Sequence, residues 1–412
     1  MADPLVALLV VGAGQRGTRY ARHAVRSGGA RIVAVAEPDP LRRAAFAREF
    51  DVPLLLDDVS QVTSRIADAA IIATQDHEHA DPAVHLAGLG FHLLLEKPMA
   101  PTFAEAGRIT DAVTRAGVMV AVCHVLRYTP YTALVKSLLD AGRIGRLVSV
   151  QHLEPVGWWH QAHSFVRGNW RNEATSSPML LAKACHDIDW LLYLTGQPVR
   201  RISSFGSLTH FRADQRPAGA ADRCLDCSLE PSCAYSAPRL YLGQLASALH
   251  TTDLPWPLSV VTPVATESAV RSALQTGPYG RCVYACDNDV VDHQVVSMEL
   301  ADGTTISFTM TAFTPAEQRK TRFFGTTGYL DGDGATLRLV DFRTGTDERI
   351  TVGETLDADH ADGDNALVDA FLSAVSTNNP TLLRSDATTS LASHQVVWAA
   401  EQARHSATVI TL

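Results

Sequence analysis

Leu5-Val6-Ala7-Leu8-Leu9-Val10-Val11 runs directly into Gly12-Ala13-Gly14-Gln15-Arg16-Gly17, and this junction decides the fold. An unbroken apolar run rich in Val and Leu is what a strand buried on both faces requires. The glycines that follow have separate physical uses. Gly12 permits a tight turn, Gly14 lets the backbone approach a pyrophosphate, and Gly17 lets the next helix pack close to the strand. That helix extends to about Arg26, and its first turn offers N–H groups free to meet an anion. A second apolar run, Arg31 to Ala36, ends at Glu37, whose carboxylate suits ribose hydroxyls and repels a 2′-phosphate. The set predicts a dinucleotide site for NAD, with Gly12, Gly14, Gln15, Arg16, Gly17 and Glu37 as its contacts. Arg42 and Arg43 lie close by and could pair with a phosphate, which keeps NADP as the less favoured alternative.

Further short apolar runs follow at helix-length intervals. Ala69 to Ala73 leads to Thr74, Asp76, His77 and His79; Phe91 to Leu95 leads to Glu96-Lys97-Pro98; Val118 to Ala121 leads to Cys123-His124 and on to Arg127 and Tyr128. Strands alternating with helices imply a doubly wound parallel sheet with right-handed crossovers. Ligands of such sheets sit beyond the carboxyl ends of the strands. Thr74, Asp76, His77, His79, Glu96 and Lys97 are therefore candidate cofactor contacts, and Arg127 and Tyr128 candidate substrate contacts.

The 412 residues exceed what one hydrophobic core organises, so a Rossmann domain over 1–125 and a second domain over 126–412 are expected. A hydrophobic content of 46% with 19% charged residues fits a soluble enzyme. The net charge of −9 and the lack of a basic stripe argue against a nucleic-acid partner. No apolar run approaches the roughly 18 to 20 residues that cross a bilayer. The first residues lack the basic start of a secretory signal, so a cytoplasmic protein is expected. There the seven cysteines should be thiols or metal ligands.

Taken together, the glycine loop, the Thr74-x-x-His-x-His-Ala80 segment, Glu96-Lys97-Pro98 and the His186-x-x-Asp189 pair resemble the Gfo/Idh/MocA family of oxidoreductases. The late stretch Arg322-Phe323-Phe324-Gly325-Thr326-Thr327-Gly328 extends the likeness over nearly the whole chain. The resemblance implies a C-terminal α+β domain whose large, mostly antiparallel open sheet faces the nicotinamide. It also implies a sugar or polyol substrate, a cis Lys97-Pro98 bond and a homo-oligomer, dimer or tetramer. Lys97 is then the candidate for proton transfer. An unperturbed lysine, with a pKa of about 10.4, is a poor base at neutral pH, so the role asks for burial or a neighbouring cation. His186 could orient or relay the hydroxyl proton. Many members of the family carry an Asp four positions before this histidine. This chain has Ala182, with Lys183 beside it, so Lys183 enters as a third catalytic candidate, or else simply pairs with Asp187 one turn on.

Gly157 to Arg171 is dense in aromatic, His and Arg residues and reads as an irregular substrate loop, with Trp159, His163, Trp170 and Arg171 as sugar contacts. Within an insertion at about 212–286, Cys224, Cys227, Cys233 and Cys282 are candidate ligands of a structural zinc, stapling a segment with few apolar residues of its own; His210 is an alternative ligand. His360 and His394 take structural readings, and a closing helix is expected over Thr388 to Ala403. The leading expectation is an NAD-dependent sugar or polyol dehydrogenase. The alternatives are a glycoside hydrolase that oxidises its substrate transiently, and a non-catalytic NAD-responsive sensor.

Overall fold

The computed structural model describes residues 5–248, 254–352 and 361–412, so His360 lies outside the described residues. Among the described residues the strands form two sheets. The first contains β1 (Val6–Val11), β2 (Ala30–Ala36), β3 (Leu54–Leu56), β4 (Ala69–Ile72), β5 (His92–Leu95) and β6 (Val120–Val122). All pairings are parallel, in the order β3-β2-β1-β4-β5-β6. Every residue of β1 is buried, as its unbroken apolar sequence demands. The strand order reverses between β1 and β4, which opens a crevice at their carboxyl ends where Gly12 and Thr74 emerge.

The two faces of this sheet are covered differently. Leu9, Val11, Ile72 and Leu93 pack with Ala83, Leu86, Ile109 and Val113 from the helices Ala80–Gly88 and Phe103–Ala116. On the other face Val6, Leu8, Val10 and Ile71 meet Tyr20 and Ala24 of the helix Gln15–Arg26. They also meet Leu367, Val368 and Phe371, from the helix Ala361–Thr377. Burying each of these three side chains is worth about 1.5–3 kcal/mol, so a late segment of the chain helps to hold the first sheet.

The second sheet contains β7 (Leu147–Pro155), β8 (Val199–Ser207), β9 (His293–Leu300), β10 (Thr305–Thr311), β11 (Lys320–Gly325), β12 (Gly328–Gly332), β13 (Thr336–Asp341), β14 (Thr346–Thr351) and β15 (Ile410–Thr411). Their order is β14-β13-β12-β11-β7-β10-β9-β8-β15, antiparallel except for the β7–β10 pair. One face buries Val150, Val296, Phe308 and Phe323 with Leu180, Ile188 and Leu191 of the helix Met179–Thr195 and with Val397 of the helix Ala387–Ser406. The other face is open and carries Phe205, Val295 and Phe324 exposed.

Two expectations about irregular structure are corrected. The segment after Gly157 is helical: Trp158–His160 is a short helix, and Gln161–Arg167 a π-helix with every residue buried. It has no Gly or Pro between 158 and 167 to break it, and its mixed aromatic and basic composition hid the helix because it is not amphipathic. The insertion also has its own core. Tyr241, Leu245, Leu258, Val270 and Leu274 pack around Cys224, from the helices Ala237–Ser247, Leu258–Val261 and Glu267–Thr276. Among the described residues no helix is long and apolar enough to cross a membrane.

Burial makes several histidines acid-sensitive. It pushes His124 and His163 down to about 3 and His394 down to about 4. An unfolded histidine titrates near 6.5, so below that pH the unfolded chain binds more protons and stability falls until the native values are reached. Near pH 5 these three groups should together take up about three protons on unfolding, a slope of about 4 kcal/mol per pH unit. Differential titration of native and urea-unfolded protein at that pH should show the uptake, and His163→Phe should lower it by about one. An unchanged uptake would mean that His163 is already charged in the native state.

Candidate functional site

The glycine loop fits a dinucleotide for reasons of space. A Cβ on Gly12, which has φ +89°, would come 2.6 Å from the Ala73 carbonyl oxygen. One on Gly17 would come 2.1 Å from the Gly12 carbonyl oxygen, so neither position accepts a side chain. Gly14 faces open space, with nothing within 4 Å of its Cβ position. The helix Gln15–Arg26 begins there with no side-chain cap and no acid in its first turn, which leaves its N–H groups for an anion. Glu37, at the end of β2, accepts from the Ala13 N–H (2.8 Å) and the Asp39 N–H (3.0 Å), fastening the loop to the neighbouring strand. Arg42 sits 3.4 Å from Asp39 and Arg43 2.6 Å from Asp57, so both guanidinium groups already have carboxylate partners. Arg16 turns inward, bonding Glu96 (2.6 Å) and Asp364 (2.6 and 2.9 Å).

The other strand ends form the floor of the crevice. Glu96 also accepts from Tyr20 (2.7 Å) and from the Lys97 N–H (2.7 Å). Burial pushes its carboxyl up, but Arg16 and Lys97 hold it below the usual carboxylate range. The Lys97-Pro98 bond is cis. His79 bonds the Pro98 carbonyl (2.8 Å) and lies 3.3 Å from that of Thr74, while the Met99 N–H donates to His394 Nε2 (2.9 Å). Thr74 donates to the Glu78 carbonyl (3.2 Å) and His77 is largely exposed. Asp76 accepts from the Trp170 indole (3.1 Å) and the Ser177 hydroxyl (2.9 Å), which joins this strand end to the second half of the chain.

The helix Met179–Thr195 forms the facing wall. Lys97 Nζ donates to the carbonyl of Ala182 (2.6 Å), so this helix receives the lysine through its backbone. Lys183 pairs with Glu154 of β7 (3.1 Å) and not with Asp187. Arg319, just before β11, bonds Glu154 (3.0 Å), both oxygens of Asp187 and His186 Nε2 (2.8 Å). A guanidinium can only donate, so His186 Nε2 accepts and a neutral ring carries its proton on Nδ1. His152 of β7 bonds Asp187 at 3.0 Å. Burial opposes ionisation of Asp187, but Arg319, His186 and His152 hold its carboxyl well below the usual range. His160 lies close enough to Lys183 and Lys97 that their charges add to burial in pushing its pKa well down.

Several candidates face elsewhere than the sequence suggested. Arg127 is buried, gripping Asp189 with two bonds (2.7 and 2.6 Å) and the Arg384 carbonyl with a third. The Tyr128 hydroxyl lies 3.2 Å from Ser385 Oγ and accepts from the Arg384 N–H (2.8 Å). His163 bonds Tyr241 (2.8 Å) and stacks on Tyr279, and Arg171 pairs with Asp287 (3.0 Å). These four are committed to internal contacts, and the Trp170 indole to Asp76. Trp159 instead packs beside His160 and Trp256, in a small aromatic group near the two lysines. Glu154, Arg319, His152, His160 and Trp256 were not anticipated; a charged residue at the end of a strand, as at Glu154, was the one available signal. The four zinc candidates line one cavity, but among the described residues no three of their sulfurs lie within 4.8 Å of one another, so they do not converge on one tetrahedral point. His210 is bonded to Tyr284 (3.0 Å).

Known proteins match both halves of the chain. Residues 6–124 match the Gfo/Idh/MocA oxidoreductase family's NAD-binding Rossmann fold, and residues 136–412 its C-terminal alpha/beta domain. Levoglucosan dehydrogenase of Pseudarthrobacter phenanthrenivorans is 31% identical over 206 residues, 46% of this chain and 52% of that protein. The 2,7-anhydro-N-acetylneuraminate hydratase of Mediterraneibacter gnavus is 26% identical over 65% of this chain and 67% of its own length. An oxidoreductase from Agrobacterium radiobacter, solved with NAD+, L-tartaric acid and magnesium, superposes with a TM-score of 0.72 at 13% identity, over 99% of this chain and 98% of that one. With both halves of the chain matched, the protein belongs to the Gfo/Idh/MocA family of oxidoreductases.

Proposed function

We propose that this chain transfers hydride between a secondary alcohol of a sugar or polyol and NAD, with Lys97 handling the hydroxyl proton. The observation that carries the reading is the bond from Lys97 Nζ to the Ala182 carbonyl, which brings the lysine to the helix that bears Lys183 and His186. NAD, when bound, supplies the hydride acceptor. Gly12, Gly14 and Gly17 and the uncapped helix start would seat its pyrophosphate, and Glu37 its ribose. The engagement of Arg42 and Arg43 by acids supports NAD over NADP.

The chain's own groups divide the remaining work. Lys97 takes the hydroxyl proton at Nζ while the Ala182 carbonyl holds the amine in line. His186 is held at Nε2 by Arg319 and its Nδ1 is buried, so it acts as a positioning residue on the helix that receives Lys97. Asp187 and Glu154 fix Arg319, and Glu154 fixes Lys183 at the edge of the same space. Trp159 and Trp256 offer apolar faces to a sugar ring. The open face of the large sheet, with Phe205 71% exposed, supports assembly into a homo-oligomer.

A second reading is favoured by the hydratase among the relatives. Oxidation at one carbon acidifies the neighbouring C–H, the oxygen substituent leaves by elimination, water adds, and hydride returns to the substrate. Stoichiometry separates the two: a dehydrogenase accumulates NADH in proportion to substrate consumed, whereas the second route cleaves or hydrates its substrate with no net NADH. The substrates to offer first are anhydrosugars, inositols and simple glycosides.

A further inference from the structure

The cysteines of the insertion take no part in the chemistry above, yet four of them surround a cavity of about 410 Å³. Cys224 and Cys227 bracket one 3₁₀ turn, closed by the Cys227 N–H on the Cys224 carbonyl (3.3 Å). Cys233 follows a second such turn, Glu230–Ser232. Cys282 is brought across by the bridge between Arg223 and Arg281 and by its own N–H on the Asp222 carbonyl (2.8 Å). Cys286 instead gives its thiol to the Cys282 carbonyl (3.3 Å).

Their spacing discriminates between metals. Four sulfurs around one zinc, each about 2.3 Å from the ion, stand about 3.8 Å from one another. Here, among the described residues, no three sulfurs are within 4.8 Å of each other, and the cavity they help to line is larger than a single ion. A polynuclear cluster gives each thiolate a separate iron, so its sulfurs stand wider with a void between them.

Arg167 is a second, independent observation. It lines the same cavity, is 1% exposed, and donates to the carbonyls of Arg281 (2.7 Å) and Tyr235 (2.8 Å) and to Cys224 Sγ (3.5 Å). None of these partners is a carboxylate; Glu230, which also lines the cavity, takes the Ser236 hydroxyl. A buried guanidinium calls for an anion, and an iron–sulfur cluster held by four thiolates is one.

We propose that Cys224, Cys227, Cys233 and Cys282 hold a [4Fe–4S] iron–sulfur cluster against Arg167. Assembly releases the four thiol protons, and each thiolate binds one iron. The cluster is structural: through Arg167 it fastens the insertion onto the helical segment Gln161–Arg167, which leads to Trp170 and the strand end at Asp76.

The test is metal and sulfide analysis of the full chain purified without oxygen from iron-replete cells, with its visible spectrum before and after dithionite. The expected result is about four iron and four acid-labile sulfide per chain and a broad visible absorption that dithionite bleaches. Cys227→Ser and Cys233→Ser should each lower the iron and sulfide content at least several-fold. One zinc per chain without sulfide would overturn the proposal, as would a metal-free protein or undiminished iron and sulfide in the double serine variant. The unaltered chain's stoichiometry decides the matter even where a variant fails to fold.

Discussion

Replacing Lys97 with alanine is expected to lower kcat by about 100- to 10,000-fold, the range of a positioned acid–base group, while NADH affinity stays within a few-fold. The two effects separate because they belong to different elements. The proposed pyrophosphate seat lies on the Gly12–Gly17 loop, and Glu37 rather than Lys97 fastens that loop. Lys97 reaches away from that loop to the Ala182 carbonyl. Lys97→Arg keeps the positive charge and a donor toward Ala182, but its guanidinium does not give up a proton at neutral pH. Arginine should therefore restore the packing and not the turnover. Steady-state kinetics with a fluorescence titration of NADH reads both quantities. An alanine variant with full turnover would remove Lys97 from proton transfer, and rescue by arginine would reduce it to a structural tether.

Asp189→Ala should be the most destabilising single change near the site, by about 3–5 kcal/mol, the cost of stranding a buried charge. Arg127 and Asp189 are both buried and share two hydrogen bonds, and His124 lies 3.7 Å from the same carboxylate. Removing the carboxylate leaves the guanidinium with the Arg384 carbonyl as its hydrogen-bond partner. The double change Arg127→Met with Asp189→Leu removes both charges and should recover most of the loss. Urea midpoints of the three variants test this. A double variant no better than Asp189→Ala would mean that the pair contributes through its geometry and not through charge compensation.

What could be read in the sequence follows the range of the interactions involved. β1 and its glycine loop are local: an apolar run, a turn and a helix start, each specified by adjacent residues. β3 escaped because it is three residues at a sheet edge, with Leu54 and Leu55 exposed, and carries no burial pattern. Lys97 and His186 stood out because one closely follows a strand and the other lies within an apolar helix. Glu154 and Arg319 did not, because no local pattern joins them. They meet because β7 pairs with β11, which sets Lys320 beside Leu153 and Thr321 beside His152. Arg127 and Tyr128 show the limit of reasoning from strand ends. Both follow β6, but the chain returns there at Arg384 and Ser385 and takes up their polar groups. The cysteine spacing likewise singled out the residues that line one cavity, but not how far apart the fold holds their sulfurs.

Whether Lys97 serves a hydride transfer to bound NAD is decided by a single-turnover experiment. Enzyme and NAD in equal amounts are mixed with each member of a panel of sugars, polyols and glycosides. Reduced nicotinamide and product are followed together. For at least one sugar or polyol, reduced nicotinamide should appear on the enzyme no later than product, and Lys97→Ala should slow its appearance by about 100-fold or more. Product formed with no reduced nicotinamide at any time, or reduced at the same rate without Lys97, would contradict it.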